Sequence, residues 1–86
     1  MLELSLAIRD VEGGLLRVLG AIERRGFRLA AVNTRTAPHG LDLDLSIEAD
    51  GRPAEVLLRQ VARLHEVMRA SIDVVRSRGP VARAPT

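Results

Sequence analysis

LDLDLSIE, residues 41–48, alternates apolar and polar side chains without a break. Successive side chains of a β-strand point to opposite faces, so this pattern predicts a strand with one buried face and one solvated face. A shift of the pairing by one residue would bury three carboxylates, and we therefore expect a strongly specified register. Arg9 or Arg35 on neighbouring strands could balance the acidic outer face of this strand.

The sequence on both sides of this strand predicts three more strands and two helices. Residues 2–8, 27–36 and 67–75 read as strands. Apolar residues recur at helical spacing from Leu15 to Ile22 and from Ala54 to Leu64, and Gly26 is expected to end the first helix. The order predicts an α+β fold, ferredoxin-like βαββαβ, in which a four-stranded antiparallel sheet carries two helices on one face and strand three lies between strands one and two.

The length and composition predict one small domain. We expect this domain to span residues 1–75 and a disordered basic tail to span residues 76–86. A chain of 86 residues with one aromatic side chain, Phe27, builds a small core, so self-association is expected on energetic grounds. The chain has no cysteine, which rules out disulfides and thiolate metal sites and favours a reducing compartment, the cytoplasm.

The positive charge of the chain is concentrated at its end. Residues 1–75 contain ten Arg and eleven acidic residues, a net charge of −1, whereas residues 76–86 contain three Arg and no acid. Proteins that bind single-stranded nucleic acids also use aromatic side chains to stack bases, and we expect no nucleic-acid partner. The first eight residues do not resemble a signal peptide, and no apolar run approaches the ~18–20 residues of a transmembrane helix, so no membrane partner is expected.

The residues that could carry catalysis or bind a metal have simpler explanations. Asp42 and Asp44 share a strand face, where paired carboxylates can act as general acid and base, but a solvated sheet face explains them as well. His39 and His65 lack a carboxylate or a second His at metal-ligand spacing, so we expect both on the surface. The sequence therefore predicts no catalytic, cofactor-binding or metal-binding residues.

Residues 10–14, DVEGG, join the first strand to the first helix and form the candidate ligand site. The N–H groups and the dipole at a helix N-terminus attract a carboxylate, and Gly13 and Gly14 would allow it to approach closely. Asp10 or Glu12 could receive the ammonium group of a free amino acid. An ordinary strand-to-helix turn explains the same residues, and both interpretations stay open at this stage.

Residues 13–29, GGLLRVLGAIERRGFRL, resemble without gaps the first motif of the ACT domain as it occurs in small regulatory subunits of acetolactate synthase. The matching positions are Gly13, Leu15, Arg17, Val18, Gly20, Arg25 and Gly26, with Phe27 in place of a family Tyr. Residues 31–36 and 57–72 are also similar to that family, and the resemblance covers roughly residues 2–75. The chain looks most like the short, valine-insensitive type of this subunit.

This resemblance implies a noncatalytic subunit of branched-chain amino acid biosynthesis that binds and activates a catalytic large subunit. Thiamine diphosphate, Mg and FAD are then expected only on the large subunit, and this chain is expected to bind no cofactor. ACT domains commonly form side-by-side homodimers with amino-acid sites at the interface. Gly20 could permit a close helix contact there, or it could be an ordinary surface glycine.

The resemblance also implies an effector site. Its expected residues are Asp10, Val11, Glu12, Gly13, Gly14, Leu15 and Arg28. Asp10 and Arg28 stand where related sequences often have Asn, and these departures do not favour valine as the effector. The alternative to a subunit of acetolactate synthase is a free-standing ACT-domain sensor that regulates another enzyme.

Overall fold

The computed structural model describes residues 1–74, and the expected basic tail at 76–86 lies outside the described residues. The elements are β1 (Leu2–Arg9), α1 (Gly14–Arg24), β2 (Arg28–Ala37), β3 (Gly40–Glu48), α2 (Ala54–Ala62) and β4 (Val67–Val74). The predicted βαββαβ order is confirmed. None of the helices in this part of the chain is both long and apolar enough to cross a bilayer.

The four strands form one antiparallel sheet in the order β2-β3-β1-β4. The predicted place of the third strand between the first two is therefore confirmed. Leu43 and Leu45 of β3 pair with Leu6 and Leu4 of β1, and both β3 residues are buried on the helix side of the sheet. Because side chains alternate along a strand, Asp42 and Asp44 stand on the opposite, outer face.

The core lies between the helix-side face of the sheet and the two helices. α1 packs against β2, α2 and β1, and α2 packs mainly against β4. Phe27, which directly precedes β2, is 2% exposed, and its N–H group donates to the Ile22 carbonyl oxygen at 3.4 Å. The buried core cluster is Leu2, Leu4, Leu6, Ile8, Val18, Ile22, Phe27, Leu43, Leu45, Ile47, Leu57 and Val61.

The helix ends differ in how well the sequence predicted them. Gly26, with φ 90°, follows α1 and donates its N–H group to the Glu23 carbonyl oxygen at 3.0 Å, as expected of a glycine that ends a helix. α2 stops at Ala62, so the prediction of helix through Leu64 is wrong by two residues. The Leu64 N–H group bonds the Val61 carbonyl oxygen at 3.0 Å in the following turn, and Leu64 still packs against the core.

Candidate functional site

The loop between β1 and α1 is a tight turn with its charged side chains exposed to solvent. Asp10 and Glu12 are both exposed. Gly13 adopts the left-handed conformation, φ 75°, at the N-cap of α1, and no side chain caps this helix. The Gly14 N–H group donates to the Val11 carbonyl oxygen at 2.9 Å. The first amide groups of α1 therefore directly follow an exposed turn, and this turn carries two carboxylates.

Side chains of the chain itself fill the space beside Gly14. A Cβ atom at this position would lie 2.9 Å from Cγ2 of Val11 and 3.4 Å from Cγ of Glu66. Gly14 therefore does not leave an open notch, because these two side chains already occupy the adjacent space. A ligand would have to reach the loop from its exposed side, where Asp10 and Glu12 lie.

An ion pair between Arg17 and Glu66 holds the loop against the rest of the domain. Arg17 Nε donates to Glu66 Oε2 at 2.5 Å, and Arg17 Nη2 donates to the Glu12 carbonyl oxygen at 3.2 Å. Glu66 is 6% exposed, and its own carbonyl oxygen accepts the Arg9 N–H group at 2.9 Å. The hydrogen bond from Arg17 lowers the pKa of the Glu66 carboxyl.

The sequence analysis missed Glu66. Arg17 stood out as part of the ACT motif, but its partner is 49 residues further along the chain. A single acid between a helix and a strand follows no periodic pattern, and only the packing of α1 beside the start of β4 makes it a partner of Arg17.

Arg28 lies far from the other predicted effector residues within one chain. It opens β2, where it pairs with Glu48 at 3.9 Å and its side chain is 76% exposed. The loop after β1 lies at the other end of the sheet, about 25 Å away at ~3.3 Å per strand residue. The structure thus brings residues 10–15 together and separates Arg28 from them. Leu15 packs against the core and is partly buried.

A network of charges covers part of the outer sheet face. Arg35 on β2 bonds Asp44 at 2.5 Å and lies 3.9 Å from Asp42, and Ser5 Oγ donates to Asp44 at 3.3 Å. The predicted balancing of the acidic face by Arg35 is confirmed. The hydrogen bond to Asp44 raises the pKa of Arg35.

His39 contacts a carboxylate that the sequence analysis did not pair with it. His39 Nε2 lies 2.8 Å from Asp42 Oδ1, and the imidazole is partly buried. The cause is the short turn between Ala37 and Gly40, which folds the ring back over β3. Across residues 1–74, no three His, Asp or Glu side chains are grouped in a way that could hold a metal ion.

The ACT-domain family model matches residues 10–70. The matched region begins at the candidate loop and continues through α1, β2, β3 and α2 into β4, and β1 completes the sheet outside the match. No curated protein matches the chain significantly. The family match and the βαββαβ topology agree, and the chain therefore belongs to the ACT-domain family, whose members are small regulatory domains that sense amino acids.

Proposed function

We propose that this chain is the noncatalytic small subunit of acetolactate synthase and that it binds and activates the thiamine-diphosphate-dependent large subunit. The observation that carries the proposal is the gapless motif at residues 13–29. In the fold this motif forms the N-cap turn of α1, the helix and the turn that ends it. Thiamine diphosphate, Mg and FAD are held by the large subunit in this proposal, and the assembly works in the cytoplasm.

The loop between β1 and α1 supports an effector site for a free amino acid. The dipole at the start of α1 favours a carboxylate there, and the exposed Asp10 and Glu12 can accept the hydrogen bonds of an ammonium group. The ion pair between Arg17 and Glu66 keeps the turn in place, so the site is organised before the ligand arrives.

A homodimer through β2 is part of the proposal. β2 is a 10-residue strand at the edge of the sheet, and a long exposed edge is a template for pairing with another strand. Two large apolar side chains of α1 and β2 are exposed, Leu16 at 75% and Val32 at 40%. Gly20, one turn after Leu16, faces no residue of the described chain other than its own neighbour Arg24. A second copy would cover this surface.

Antiparallel pairing of two β2 strands would also complete the effector site. The Arg28 end of one strand would then lie beside the Ala37 end of the other, which is the end of the sheet where the loop lies. In such a dimer Arg28 of the partner subunit approaches residues 10–15. Within one chain, Arg28 lies about 25 Å from the same loop.

Leu16→Glu is expected to turn the dimer into a monomer. The new carboxylate would be buried at the interface without a partner, and an unpaired buried charge strongly disfavours association. Sedimentation equilibrium would measure the change. Met68→Glu is the matched control, because Met68 is 44% exposed on the opposite edge strand, β4, and this variant should stay dimeric. If the two variants had the same oligomeric state, the proposed interface would be contradicted.

Reconstitution with the large subunit tests the function directly. Adding this chain to the acetolactate synthase large subunit of the same organism is expected to raise the rate of acetolactate formation severalfold, and the two should co-purify. If the chain binds amino acids but neither activates nor co-purifies, it is a free-standing sensor and the proposal fails.

Gly13→Asp is expected to reduce activation and effector response more than folding. Aspartate tolerates positive φ, and the nearest atom to a Cβ at Gly13 is the flexible end of Arg17 at 3.2 Å, so the fold should survive. The added negative charge at the start of α1 would repel an effector carboxylate. Gly51→Asp is the matched control, because Gly51 has φ 84° and nothing within 4 Å. Normal regulation in Gly13→Asp would remove the loop from the proposal.

A further inference from the structure

The outer face of the sheet sorts the charged side chains of β1 and β4 by sign along the strands. Glu3 and Asp73 are direct neighbours across the two strands at one end. Arg69 lies four pairs further along β4, and Arg9 ends β1. Within residues 1–74, none of these four side chains forms an ion pair. The face therefore has an unbalanced negative end and an unbalanced positive end.

The acidic end is unfavourable in a single chain. Glu3 and Asp73 stand directly opposite each other, and like charges in this position destabilise a sheet. Ser46 Oγ lies within hydrogen-bond distance of both carboxylate oxygens of Glu3, at 3.0 and 2.9 Å, but a neutral hydroxyl leaves the charge in place. The two carboxylates of β3, by contrast, already have Arg35 and His39 as neighbours. A cationic group from outside residues 1–74 would relieve the repulsion between Glu3 and Asp73.

Short side chains lie between the two charged ends. Ser5 and Ser71 pair across β1 and β4, midway between Asp73 and Arg69. A depression of about 330 Å³ lies over this part of the face. Two sheets that pack face to face are about 10 Å apart, and side chains as short as serine allow that approach. The outer face thus combines a low centre with opposite charges on its two sides.

We infer that the outer faces of two copies of this chain pack against each other about a two-fold axis that crosses the Ser5 and Ser71 pair. The axis lies between the two sheets, perpendicular to the strands, so β4 of one copy runs antiparallel over β4 of the other. Asp73 of each copy then lies over Arg69 of the partner subunit, and the symmetry makes this contact twice. Glu3 is one strand away from the same contact, about 5 Å.

Other arrangements neutralise the face less completely. A two-fold axis parallel to the strands would keep equal ends together and would place acids over acids. A free cation would neutralise only the acidic end, and an acidic partner would neutralise only the end with Arg9 and Arg69. A second copy in the inferred orientation neutralises both ends, because each copy offers the charges that the other lacks.

The size of the face sets the strength of the contact. Four strands about 4.8 Å apart and about 23 Å long present roughly 450 Å² per copy, less than the roughly 800 Å² per partner of a stable complex. The proposed β2 dimer would double this area. The inferred axis crosses β2 at Asn33, which lies in the same row as Asp44 and Ser5 and near the middle of the strand. The axis of antiparallel β2 pairing passes there as well, so the two contacts close a tetramer. The tetramer rests on the proposed β2 dimer, whereas the face-to-face contact does not.

Sedimentation equilibrium over a wide range of protein concentrations tests this inference. Association beyond the β2 dimer should appear with Kd of about 0.1 mM, and the dimer should remain alone well below that concentration. Asp73→Arg and Arg69→Asp should each weaken this step at least tenfold, because each change puts like charges together at both contacts. The double variant restores opposite charges and should associate as the original chain does.

Arg59→Asp is the matched control, because it makes the same change of charge at an exposed site of α2 and should not alter association. The inference is overturned if the original chain does not associate beyond the dimer, or if the double variant does not recover. Weakening by Asp73→Arg alone would also overturn it, since the acidic end would then meet another partner, such as the three Arg of residues 76–86. Leu16→Glu removes the β2 contact and leaves the outer faces unchanged, so the two interfaces fail separately.

Discussion

Gly40→Ala is expected to lower the free energy of unfolding by about 3 kcal/mol, which combines backbone strain with overpacking. Gly40 opens β3 opposite Arg9 and has φ 142°, a conformation that side chains rarely adopt. A Cβ atom would overlap the Ile8 carbonyl oxygen and would lie 2.6 Å from the Asp10 nitrogen. All of these are backbone atoms, so the end of β1 would have to move away from β3.

Thermal unfolding followed by far-UV circular dichroism would measure this loss, since the chain has no Trp or Tyr for fluorescence. The melting temperature should fall by roughly 12–24 °C in a domain of this size. Gly51→Ala is the control, because Gly51 also has positive φ but has nothing within 4 Å, and it should cost only about 1–2 kcal/mol. Equal losses in the two variants would show that conformation alone, and not the contact with β1, makes Gly40 necessary.

Phe27→Ala is expected to destabilise the domain by about 3–5 kcal/mol, the usual cost of removing a buried aromatic side chain. Phe27 is the only aromatic residue, it is 2% exposed, and it packs in the core where α1 turns into β2. Small domains have total stabilities near the low end of about 5–15 kcal/mol, so this variant should be largely unfolded at moderate temperature.

Urea unfolding at several protein concentrations would measure this change and separate it from any effect of dimerisation. Phe27→Leu is the control, because it keeps most of the apolar volume and should cost about 1 kcal/mol. An unfolding midpoint for Phe27→Ala close to that of the original chain would mean that the core tolerates the cavity.

The elements with periodic sequence were predicted well. The alternation at residues 41–48 indicated both the strand and its buried face, and the structure places Leu43, Leu45 and Ile47 inside. The turn after α1 was recognisable from Gly26 because a left-handed residue at a helix end is a local requirement. Each of these signals depends only on neighbours within a few residues.

Sequence analysis named the residues of the candidate loop but not their contacts. The loop at residues 10–14 was identified because it joins two predicted elements, and Arg28 was added through the family resemblance. The structure shows that Arg28 belongs to the other end of the sheet within one chain. It also shows that the side chains of Val11 and Glu66 fill the space beside Gly14, which sequence analysis did not reveal.

By itself, the sequence determined the order of strands and helices, the faces they bury and the family resemblance. These follow from side-chain periodicity and turn chemistry, which act between residues close in the chain. Only the tertiary structure decided that Arg17 pairs with Glu66, that Gly40 must lack a side chain, and that Asp42 and Arg69 face each other across Ala7. The physical reason is that these contacts join residues far apart in the chain, and no periodic pattern encodes which of them will meet when the sheet assembles.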